Sequence, residues 1–124
     1  MKMPVTIIGK VVEGKHIGHT IGFPTANIKP RAGQEIPPRG VYAGKIRINS
    51  EPECFRCVID HGMQPTIPSG KETIEVHILD FHRDIYGAEV TLEMDHYMRP
   101  ERKFDSVDAL KAQLARDVSQ VRSC

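Results

Sequence analysis

The sequence predicts a mainly β fold, a small closed barrel with a C-terminal α-helix, and three observations predict it. A chain of 124 residues has the length of one domain, 1–124, with a single core. Five or six short runs rich in β-branched residues alternate apolar and polar positions and are separated by Gly- and Pro-containing turns. Even spacing and hairpin connections favour closure over an open sheet. Beyond Asp105 the apolar period lengthens to three and four residues, the period of a helix.

Taken in order, residues 6–12 (TIIGKVV) form a strand, broken at Glu13-Gly14. Residues 13–24 form a loop, because its glycines are costly in a helix and Pro24 would end one. A second loop covers residues 30–40, where three prolines and two glycines fall in eleven residues. Residues 41–49 alternate, with Tyr42, Ile46 and Ile48 on one face and Lys45 and Arg47 on the other. A turn at 49–52 leads into a return strand at 54–60, so the pair is a hairpin. Residues 61–71 read as a third loop. Ile74, Val76 and Ile78 then alternate with Glu75 and His77 in a strand over 73–79. After a turn at 84–87 (DIYG), Val90, Leu92 and Met94 alternate with Glu89, Thr91 and Glu93 in a strand over 88–94. Asp105 or Ser106 is placed to cap a helix. Its apolar face comprises Val107, Leu110, Leu114 and Val118, with Ala115 and Val121 nearby, and Lys111, Gln113, Arg116 and Gln120 are expected to face water.

A net charge of +1 gives no general pull toward nucleic acid or anionic membrane. No run approaches the roughly 20 apolar residues of a membrane span, and the N-terminus lacks the pattern of a secretory signal. Three cysteines, an odd number, suit reduced thiols in the cytoplasm. Cys54 and Cys57 make a CxxC, but no second ligand pair accompanies it, and residues three apart in a strand point to opposite faces. They read as two thiols of a sheet.

Three features bear on chemistry. Gly14, Gly18 and Gly22 fall four apart, in a loop that is either merely flexible or a cradle turning backbone N–H groups toward phosphate. Nothing matches a Walker motif. Thr25 and Asn27, behind Pro24, point the same way if the segment is extended. Their uncharged oxygens suit Mg²⁺ that already carries nucleotide phosphates; an Asx or Ser/Thr turn that only shapes the loop fits the spacing equally. Glu75 stands on the polar face of its strand, either solvated like most strand glutamates or beside a pocket, where it takes a proton from a hydroxyl nucleophile.

Five segments carry a resemblance: GKVVEGKHIGHTIGFPTANI, GVYAGKI, ETIEVHILDF, DIYG and MRPERKFDSVDALKAQLARD. In this order, over nearly the whole chain, they resemble the riboflavin kinase (flavokinase) family of the bacterial and eukaryotic type. In bacteria that domain is commonly the C-terminal half of a bifunctional FAD synthetase. The resemblance implies a six-stranded Greek-key barrel with a C-terminal helix, and transfer of the γ-phosphoryl of ATP to the 5′-hydroxyl of riboflavin, giving FMN and ADP. It implies Thr25 and Asn27 as ligands of Mg²⁺ and phosphate, and the loop from Gly14 through Gly18 and His19 to Gly22 as a flap over ATP. Glu75 matches the general base, and Arg99, Arg102 and Phe104 match the segment lining the flavin side.

Two positions depart from the family pattern. His19 stands where relatives usually carry Arg or Lys, and Asp60-His61-Gly62 stands where many have Asn before the glycine. Both bear on nucleotide affinity more than on reaction class. With no segment ahead of Met1 to host adenylyl transfer, FMN is the expected end product. The expected partners are riboflavin and ATP, without nucleic acid or membrane, for a cytoplasmic monomer. The alternative is a flavin-binding or regulatory module that kept the fold without turnover. Intact Thr25, Asn27 and Glu75 argue against it. An oligonucleotide-binding barrel wants aromatic platforms on a basic groove, and seven aromatics with no Trp supply few.

Overall fold

A computed structural model describes residues 2–12, 23–63 and 72–123 of the chain. Among the described residues six strands, β1 (Val5–Val12), β2 (Ala26–Pro30), β3 (Gly40–Ile48), β4 (Cys54–Met63), β5 (Glu72–Ile78) and β6 (Glu89–Arg99), are followed by a helix, α1 (Val107–Ser123). The strands close in the order β1-β2-β5-β4-β3-β6, and every pairing is antiparallel. β3, β4 and β5 are sequential neighbours, and β6 returns to lie beside β3, which is the Greek-key arrangement.

Alternation does the building. Ile7, Val11, Ile28, Ile46, Ile59, Val76, Leu92 and Met94 all turn inward and share one core. Gly44 lets β3 and β6 approach closely, since a Cβ there would fall onto the Glu93 carbonyl. A second, smaller cluster of Val41, Ala43, Val58, Leu79 and Val121 lies on the outer face, where α1 covers the barrel.

Three boundaries differ from the sequence reading. β2 is too short to show a period; register with β1 and β5 makes it a strand. β4 continues through His61, Gly62 and Met63, which were expected to open a loop, because β5 pairs with all three and β3 with His61. β6 runs on to Arg99, accommodated by register shifts against β3 at Val41/Tyr42 and Ala43/Gly44.

The helix also differs in detail. Ser106 is the cap: its Oγ accepts the Ala109 N–H at 3.0 Å. Val107 is 58% exposed and Ala115 is exposed, so neither belongs to the packed face. The most buried side chains of α1 are Val121 and, unexpectedly, Asp117, at 2% and 1% exposure. Gln113, expected in water, turns in and donates to Asp117 at 2.9 Å. A carboxylate at this depth requires a cation, and Arg99 supplies it. No helix among the described residues is long and apolar enough to cross a membrane.

Candidate functional site

One row of the sheet assembles the site. Asn27 on β2 faces Glu75 on β5, Glu75 faces Asp60 on β4, Asp60 faces Val41 on β3, and Val41 faces Arg99 on β6. Because Ile74, Val76 and Ile59 point inward, the row lies on the outer face of the barrel. Directly opposed residues stand about 5 Å apart, so residues dozens of positions apart in sequence meet here.

Glu75 is half-buried, and its pKa is raised first by burial and then by the charge of Glu101. Asp60 is pushed up to about 7 by burial, by repulsion from and hydrogen bonding to Glu101, and by Glu75, with Arg99 opposing. Its Oδ1 is buried without a hydrogen-bond partner among the described residues. Glu101 reaches this pair because Gly62 has no side chain; a Cβ there would collide with the Glu101 carboxylate. Three carboxyl groups therefore crowd one another, which favours keeping a proton among them.

On the β2 side, Thr25 and Asn27 line a cavity of about 620 Å³ with Val11, Val12, Ile78, Phe81, Arg83 and Tyr86. The Thr25 hydroxyl oxygen is buried and has no hydrogen-bond partner among the described residues, and Asn27 is 9% exposed. Asn27 was expected outside the strands; its pairing with Val12 and Glu75 puts it within β2. Among the described residues no three His, Cys, Asp or Glu side chains form a metal cage. The chain's offer to a cation at this place is the uncharged Thr25–Asn27 oxygen pair, and the orphaned hydroxyl oxygen fits Mg²⁺ arriving with phosphates.

On the β6 side, Arg99 is committed. Its Nε and Nη2 donate to the two Asp117 oxygens at 3.0 and 2.7 Å, and its Nη1 donates to the Pro100 carbonyl at 3.2 Å. Arg102 lies over the Phe104 ring, 4.7 Å from its centroid. The row thus sets Asn27 beside Glu75, with Thr25 at its near end, whereas Arg99 stands three strand pairings beyond Glu75, and Arg102 and Phe104 follow it in the chain. Gly14, Gly18, His19 and Gly22 lie outside the described residues.

Sequence reasoning named Asp60 only as a departure from the family pattern, and did not single out Glu101, Asp117 or the cavity wall over 81–86. Tyr86, within the DIYG turn and 64% exposed, belongs to that wall. The departure at 60–62 proves to lie within β4, and the other, His19, is outside the described residues. His61 is buried, with Nδ1 2.8 Å from the Pro37 carbonyl and Nε2 3.0 Å from Glu72. Cys54 is exposed and Cys57 buried, on opposite faces of β4, and burial followed by the charge of Asp95 raises the Cys57 thiol.

Comparison with known proteins bears on all of this. A family model described as "Flavokinase: Riboflavin kinase" matches residues 1–124. The bifunctional riboflavin kinase/FMN adenylyltransferase of Haemophilus influenzae is 44% identical over 120 residues, covering 97% of this chain and 38% of its own length. A riboflavin kinase structure from Trypanosoma brucei superposes with a TM-score of 0.74 at 26% identity, covering 98% of this chain and 80% of that one. A Streptococcus pneumoniae structure described as a macrolide-efflux protein superposes with a TM-score of 0.88 at 35% identity, covering 98% of this chain and 39% of that one. The chain therefore spans well under half the length of the bifunctional relatives it matches.

Proposed function

Because the chain belongs to the riboflavin kinase family, we propose that it transfers the γ-phosphoryl of ATP to the 5′-hydroxyl of riboflavin, giving FMN and ADP. The observation that carries the reading is the register Asn27–Glu75–Asp60, which sets a half-buried carboxylate beside the oxygen-lined edge of a nucleotide-sized cavity. The second activity of the bifunctional relatives is no part of the proposal, which stops at FMN.

In this reading the apolar walls of the cavity, Val11, Val12, Ile78 and Phe81, take the nucleobase. Thr25 and Asn27 hold Mg²⁺, which when bound neutralises phosphate charge and orients the phosphates. Glu75 accepts the hydroxyl proton; burial and the neighbouring charge of Glu101 raise its pKa, which makes it a better base than a solvated glutamate. Phosphoryl transfer rests mainly on positioning and electrostatics, so a single base suffices. The flavin lies on the β6 side, against Arg102 and Phe104, with Arg99 fixing the strand end behind them. A monomer fits this reading, since a closed barrel leaves no sheet edge to pair, and the free thiols of Cys54 and Cys57 fit the cytoplasm.

The test is direct. The protein is incubated with riboflavin, Mg²⁺ and ATP, and the flavins are resolved by chromatography. FMN with matching ADP is expected. Riboflavin that is bound but never phosphorylated would overturn the reading in favour of a flavin-binding module.

A further inference from the structure

The register between β2 and β5 begins at Ala26–Val76. Pro24 and Thr25, two residues and one residue earlier, have no ladder partner there, and proline has no N–H to donate. Something else must hold this stretch, because the Thr25 oxygen cannot be aimed by a free backbone.

His77 does so from the side. It follows Val76 on β5 and shares the outer face with Glu75, two residues away. Its Nδ1 lies 2.7 Å from the Pro24 carbonyl oxygen. A carbonyl accepts and cannot donate, so Nδ1 carries the hydrogen. The ring also meets Phe23 edge-on, with centroids 5.6 Å apart and planes at 64°. One imidazole thus grips two consecutive residues just ahead of Thr25.

We propose that His77 is a positioning residue for the nucleotide side of the site: by clamping Pro24 and Phe23 it fixes Thr25 and Asn27 in place opposite Glu75. The proposal rests on the kinase reading above for its catalytic meaning, but not for its structural content. β5 then carries the candidate base and, one alternation further on, the device that sets the distance between that base and the oxygen pair. The buried, unpartnered Thr25 hydroxyl is the group whose placement depends on the clamp.

Three variants separate the contributions. His77→Asn keeps an N–H donor near the place of Nδ1, His77→Phe keeps a ring without a donor, and Phe23→Ala removes the ring contact without touching β5. Two measurements are made on each: amide hydrogen exchange at Thr25 and Asn27 without ligand, and calorimetric affinity for Mg²⁺ with a non-hydrolysable ATP analogue, alongside riboflavin affinity. Loss of one hydrogen bond predicts about five- to tenfold faster exchange at Thr25 in His77→Phe. Mg-nucleotide affinity should fall by a similar factor, riboflavin affinity should hold, and His77→Asn should recover most of both. Unchanged exchange at Thr25 in both His77→Phe and Phe23→Ala would overturn the clamp, whatever the enzyme does. Mg-nucleotide and riboflavin affinities falling together, with no recovery in His77→Asn, would reduce His77 to a general support of the barrel and overturn the proposal as well. A parent that binds no Mg-nucleotide at all while its exchange responds as expected would sink the kinase reading and leave the clamp standing.

Discussion

Glu75 and Asp60 are neighbours across one strand pair, yet their carboxyl groups meet different demands. Glu75 must be ionised to accept a proton, and Glu75→Gln keeps the shape while removing that capacity. Turnover is expected to fall by about two to four orders of magnitude, with riboflavin affinity little changed; a near-normal rate would remove Glu75 from the mechanism. Asp60, by contrast, is held near neutrality, with a pKa of about 7. In the unfolded chain an aspartate titrates at about 3.9, so the folded protein binds this proton more tightly. The stability Asp60 contributes is complete below about pH 4 and is lost as pH rises to about 7. An asparagine at this position cannot ionise, and its amide N–H₂ can donate to Glu101 as the protonated acid does. Asp60→Asn should therefore gain roughly 1–3 kcal/mol on the parent between pH 5 and pH 8, read from urea unfolding at both values. Parallel pH profiles would show that Asp60 keeps its charge through folding.

Among the elements, α1 is tied to the barrel by polar contacts as much as by apolar ones. The Arg99–Asp117 fork joins the end of β6 to the helix, Gln113 adds a third donor, and Arg122 binds Asp80 beyond β5 at 2.6 Å. Asp80–Arg122 is exposed and contributes little. The Asp117 carboxylate is buried, and removing its charge leaves Arg99 without compensation. Asp117→Ala should cost about 3 kcal/mol, measured by denaturant unfolding. The double variant Arg99→Met with Asp117→Leu should recover more than half of that, because two apolar side chains can replace a buried pair. A double variant as unstable as the single one would show that the ion pair is irreplaceable at this junction. The same junction precedes residues 100–104, the segment proposed to meet the flavin, so under that proposal its loss should also weaken riboflavin binding.

For the whole molecule, closure is what makes the site possible. The row from Asn27 to Arg99 spans five strands of a curved sheet, and any slip of one residue would turn its side chains into the core. Gly44 guards a tight passage, where β3 and β6 carry the register shifts. A methyl group there would press on the Glu93 carbonyl and the Ile59 side chain, both fixed by neighbouring strands. Gly44→Ala should cost more than about 3 kcal/mol, the scale of an overpacked core site, and is expected to yield little soluble protein. A variant with the parent's melting temperature would mean that the strands yield more than a packed barrel should.

By itself the sequence determined the barrel, the inward face of each long strand, the capped helix, and Thr25, Asn27 and Glu75 as residues to watch. Those are local matters: a period of two, a turn residue or a hydroxyl behind a proline is written in consecutive positions. Only the tertiary structure decided that Asn27 faces Glu75 and that Glu75 faces Asp60, since register is a property of strand pairs. It alone turned β2 and residues 61–63 into strand, because pairing partners supply the hydrogen bonds that composition does not announce. It also reversed one reading of polarity, turning Gln113, expected in water, inward to Asp117. Asp117, which the apolar pattern of the helix does not single out, is among the most buried side chains of the described residues. Arg99, expected at the flavin, is the reason Asp117 can be there. A charge can be buried only where its partner already waits, and the partner lies eighteen residues away, on another element.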